Sequence, residues 1–281
     1  MPRFPREISN LHHRNPRLFY CVISLVFAAV LGRANGQSEP ASEGEHEREE
    51  LGVNRYTTPR IDHLFEQLDK LQPLPFDQLW RPLPTAGPAQ REVKGLVFGG
   101  LVADGFLIVA GRKQNLVDEL GRVLIREARG LGVGDSVTRH SASLSELGRA
   151  GKWQAVRKEL SATQDDVEKA MIALRDEKLA ALISLGGWIR GLEITSAAVQ
   201  ANYSPERAKT LRQPELVEYF SEELATLPPQ VEHSPIFENL RKGVKAIRTA
   251  VGSGEEVLRP AQVEKLHAQA REMDLLLLQN Q

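Results

Sequence analysis

Three charged residues occupy stretches that are otherwise almost free of charge. Asp104 is the single charge in residues 96–111 (LVFGGLVADGFLIVAG), and Arg190 and Glu193 are the only two in residues 179–203 (LAALISLGGWIRGLEITSAAVQANY). A carboxylate buried in such a segment must shift its pKa or find a partner. Arg190 is the expected partner of Asp104, with Glu193, three residues further on, competing for the same guanidinium. A cluster of this kind in a dry core suits a ligand site or a catalytic acid/base pair. It equally suits a structural ion pair that fixes helix register.

Other chemistry is scarce. The single cysteine, Cys21, leaves no second thiol for a disulfide and no cysteine cluster for a metal. The histidines are dispersed, with no H-E-x-x-H, no Walker A and no G-x-S-x-G motif. His46 lies in a run of glutamates that reads as a solvated acidic face. His140 is expected on an apolar helical face as a core histidine. Gly130 to Gly134 follows a helix rather than a strand, which is poor context for a phosphate cradle. Asn202-Tyr203-Ser204 matches a glycosylation sequon, but Pro205 and the expected burial of Tyr203 argue against its use. No cofactor and no metal are expected.

The elements that must position the cluster are helical. Aromatic residues are only 6% of the 281 residues, while Leu and Ala abound; strands prefer the opposite balance. Residues 96–111 admit two readings, a hairpin turning at Asp104-Gly105 or a helix apolar all round. Four glycines weaken a helix, yet no other strand exists to pair with, and the flanks are helical in composition. Helix is the expectation. On a wheel of 100° per residue, residues 179–203 show two opposed apolar faces, so this helix is covered on both sides. The strip between them holds Arg190 and Glu193.

Each of these stretches carries a glycine pair. Phe98-Gly99-Gly100-Leu101-Val102 aligns with Leu185-Gly186-Gly187-Trp188-Ile189, through an internal duplication or by coincidence. Gly99, Gly100, Gly187 and Gly191 are the expected points of close helix packing, and the two helices are the expected centre of the fold.

The rest of the chain is punctuated by Gly and Pro. A short helix from residue 61 precedes five prolines between residues 72 and 90. These read as a strap anchored by Phe76, Leu79 and Trp80, or as a Pro-rich recognition motif. Further helices are expected near residues 116–131, 135–147, 153–160, from Thr163, after Ser204-Pro205, from Pro214, after Ser234-Pro235 and over 260–278, with Asp135 as a cap. The helix from Thr163 could run through Asp176-Glu177 into the central stretch. Ala150-Gly-Lys-Trp153 resembles a helical-repeat turn, but no period recurs. The expected fold is all-α: an antiparallel bundle of about nine or ten helices with a Pro-rich strap and no significant sheet.

Residues 1–36 have the anatomy of a secretory signal: Arg3, Arg6, Arg14 and Arg17, then an uncharged run over 18–32, then small residues placing cleavage after Ala34 or Gly36. An uncleaved signal-anchor is the alternative, and no other stable span is expected. Residues 37–60 read as a disordered acidic leader, 61–90 as helix plus linker, and 91–281 as one helical domain. Removing the signal takes five basic residues and one acid from totals of 36 and 37. That leaves a net charge of −5, which offers no electrostatic case for nucleic acid. The first expectation is an exported, non-enzymatic binding or structural envelope protein, in the periplasm or outside the cell, with a protein or small molecule as partner. The alternatives are a small-ligand-binding bundle, or a carboxylate-dependent enzyme, using Asp104, Arg190 and Glu193.

Overall fold

The computed structural model describes residue 60, residues 63–252 and residues 257–279. The expected signal over residues 1–36 and the acidic leader up to residue 59 lie outside the described residues. The described residues belong to one compact unit. Among the described residues the structure is all-α, with no strand.

Among the described residues, nine helices of eight or more residues form the body: α1 His63–Lys70, α3 Arg91–Ala110, α4 Gln114–Leu131, α5 Gly134–Arg149, α6 Trp153–Ala173, α7 Glu177–Ala201, α9 Pro214–Ala225, α11 Pro235–Val251 and α12 Pro260–Gln279. Three short ones, α2 Phe76–Leu79, α8 Pro205–Lys209 and α10 Pro229–Glu232, sit in the connections.

Residues 96–111 are helical, not a hairpin, and Asp104-Gly105 lies inside α3. The apolar side chains around this helix are covered on every side, which outweighs the cost of its glycines. By length and composition α3 could cross a membrane, with a mean hydropathy of 1.8 over its most apolar window; 83% of that window is buried within this fold. α7 is buried along almost its whole length. α3 and α7 make the most extensive helix contact and form the spine. α4 packs on α3, and α5 bridges α4 and α6. α12 packs on α7, and α11 joins α12 to α9.

The pairing is close because two glycines permit it. A Cβ on Gly99 would stand 1.8 Å from the Ile183 carbonyl oxygen and 2.7 Å from the Gly187 nitrogen. A Cβ on Gly186 would stand 1.9 Å from the Leu96 carbonyl oxygen. Gly191, expected at this interface, turns instead toward α1, where a Cβ would meet the Leu64 side chain at 3.4 Å.

Several local expectations are corrected. Thr163 does not start a helix: α6 runs unbroken through it, and its hydroxyl donates to the Glu159 carbonyl at 2.7 Å, a bond made from within a helix. α6 and α7 are separate. Arg175 adopts φ +55°, and the Asp176 carboxylate then caps α7 by accepting from the Leu179 N–H at 3.2 Å. Asp135 lies in the first turn of α5 rather than at its cap, which is Val133. His140 is not on an apolar face. It lies between Glu159 (Nδ1 to Oε1, 2.8 Å) and Asp166 (Nε2 to Oδ2, 3.2 Å) of α6. Ser204 does cap α8, accepting from the Arg207 N–H at 3.2 Å, with Pro205 behind it.

Candidate functional site

The strap from residue 72 to residue 90 is held by Phe76 and Leu79, both buried, with Trp80 stacked on Phe76 at 5.7 Å. This places Arg81 over the α3/α7 interface. There it joins the three charges singled out in the sequence.

Arg190 extends from α7 toward α3 and the strap. Its Nε donates to Asp104 Oδ1 at 2.7 Å, its Nη2 to the Leu79 carbonyl at 2.6 Å, and its Nη1 to Glu193 Oε2. Arg81 takes the other oxygen of Asp104: Nε donates to Oδ2 at 3.0 Å, and Nη2 lies 2.9 Å from it. Arg81 Nη1 also donates to Asp274 of α12. The five side chains thus form one ion network linking α3, α7, α12 and the strap. Gly100 makes room for it. A Cβ there would stand 3.2 Å from Arg81 Nη2 and 3.8 Å from the Arg190 Cβ.

The electrostatics follow from burial. The side chains of Asp104 and Arg190 are 0% and 2% exposed, so a lone charge at either position would be untenable. Burial pulls the Arg81 pKa down, but the carboxylates of Asp104 and Asp274 more than offset it, and the guanidinium stays protonated. Glu193 is raised above its ordinary value of 4.5, chiefly by burial, against the pull of Arg190 and with Asp274 and Asp104 adding repulsion. With all groups ionised, the network holds two cations and three anions. Glu193 is the member whose proton uptake would balance it.

A cleft of about 410 Å³ opens on the outer side of this network, between the strap, α7 and α12. Trp80, Arg81, Glu193, His267, Arg271 and Asp274 are among its walls. His267 is held below its ordinary 6.5 by burial and by Arg271, against a bond to the Glu193 backbone. Its Nδ1 lies 3.3 Å from Ser196 Oγ. This is not a nucleophile and its base, because Ser196 is fully buried and donates to the Leu192 carbonyl at 2.5 Å. Asp104 is likewise closed to substrate, since both its oxygens are taken by guanidinium groups. Among the described residues no three His, Cys, Asp or Glu side chains are arranged to hold a metal ion.

Sequence reasoning named Asp104, Arg190 and Glu193, and the structure brings these three together. It missed Arg81, Asp274 and His267. Two signals pointed to the first pair. Arg81 is the only charge in residues 78–90, and Asp274 is the only charge in residues 273–278 (MDLLLL). No protein-family model matches the sequence, and neither a curated protein nor a solved structure matches it significantly.

Proposed function

We propose that this chain is a non-enzymatic binding protein, exported through its first 36 residues, in which the buried ion network is a structural key and the adjoining cleft receives a small polar ligand. The observation that carries this reading is the pairing within the network. Each charged side chain has an opposite partner, and Asp104, the most deeply placed, has no free oxygen. Groups so committed hold helices and strap in register rather than transfer protons.

The cleft favours a ligand with hydrogen-bonding groups and a flat face. Glu193 and His267 both have pKa values moved toward their neutral forms. Together with the indole of Trp80 and the cation of Arg271, they give the cleft hydrogen-bonding groups beside a flat face. Leu275, 43% exposed at the same cleft, favours a protein partner as the second reading.

Native mass spectrometry of the full protein purified from its own host tests this. A bound small molecule of defined mass, lost from Trp80→Ala, is the expected result. A protein that carries only apo mass, or a ligand that Trp80→Ala retains, would overturn the proposal.

A further inference from the structure

A second space lies away from the ion network, between α3, α4, α5 and α6. It measures about 370 Å³ and is lined largely by apolar side chains, among them Phe98, Val102, Leu124, Leu160 and Val167. Its openness has a cause in the sequence. The α5 wall offers Ser141, Ala142 and Ser145, and the α4 wall offers Gly121. A Cβ added at Gly121 would meet no atom within 4 Å. Small residues on two facing helices leave room that interior packing normally fills.

The mouth is charged. Asp118, Arg122 and Arg149 border the space. Asp118 is already committed: Arg149 Nη2 lies 2.7 Å from it, and the Ser145 hydroxyl donates to it. Arg122 forms no ion pair among the described residues, so the mouth carries one cation in excess.

We infer that this space binds a single-chain amphiphile, its hydrocarbon chain among the apolar walls and its anionic carboxylate at Arg122. The size is ample: an apolar cavity of roughly 150 Å³ already takes up benzene. Charge complementarity fixes the orientation, because a carboxylate would leave solvent poorly anywhere but at the mouth. This inference goes beyond the polar cleft, and the two sites fail or succeed independently.

The test uses the full protein and sodium dodecanoate below its micellar concentration, followed by calorimetry and thermal melting. One molecule should bind per chain and raise Tm. Gly121→Leu should fold, melt no lower than the parent, and bind dodecanoate at least about tenfold more weakly, because the added side chain occupies the space. Arg122→Ala should weaken dodecanoate and leave 1-dodecanol unchanged. Absence of saturable binding, or undiminished affinity in Gly121→Leu, overturns the site. Equal loss of acid and alcohol in Arg122→Ala overturns the assignment of the carboxylate to Arg122.

Discussion

Gly186 and Leu96 meet backbone to backbone: a Cβ on the glycine would stand 1.9 Å from the Leu96 carbonyl oxygen. The obstacle is main chain, so no side-chain rotation relieves it. The same holds for Gly99 against Ile183. Gly99→Ala and Gly186→Ala should each cost about 3 kcal/mol or more, by forcing the spine helices apart. Gly191→Ala, which meets only the Leu64 side chain at 3.4 Å, should stay within about 1 kcal/mol of the parent, helped by alanine's helix propensity. Urea denaturation of the three variants checks the contrast.

Arg81 ties the strap to two helices through Asp104 and Asp274. Arg81→Ala leaves both carboxylates short of a cation, and its expected cost is about 3–5 kcal/mol. Arg81→Lys should rescue little, because one ammonium cannot reproduce the planar fork that reaches both. Stability measurements and the fluorescence of Trp80 on the same strap would show whether the strap loosens.

The pH dependence separates two cleft residues. Glu193 has its folded pKa raised, so the native state holds that proton more firmly than the unfolded chain. Stability from Glu193 is full below about 4.5 and is lost as pH rises through the raised value. His267 has its folded pKa lowered, so the unfolded chain binds that proton more readily. Stability from neutral His267 is full above about 6.5 and is lost as pH falls through the lowered value. Glu193→Gln should remove the first slope and His267→Gln the second. Unfolding free energies measured across this range would contradict the assignment if each variant kept the parent slope.

The fold was legible wherever apolar residues recur at helical spacing or where Ser-Pro and Pro mark a start. It failed at junctions. Thr163 resembles a helix start by type, yet its hydroxyl is used from within α6. Arg175 breaks the chain before α7 through a positive φ that no residue pattern announced. At the site, Asp104, Arg190 and Glu193 were visible because each interrupts a charge-poor helix. Arg81 was not, because the proline-rich strap has no period that assigns an inner face. Asp274 was masked by the leucines that follow it, and its role depends on how α12 docks across α7.

A double-mutant cycle across Asp104 and Arg190 decides whether the buried network is the key that fixes α3 against α7. Asp104→Asn and Arg190→Met should each lose about 3–5 kcal/mol in denaturant unfolding, since each strands the other's charge. The double variant should lose less than the sum of the two by at least about 1 kcal/mol. Simple additivity of the two losses would contradict the pairing on which the structural-key reading rests.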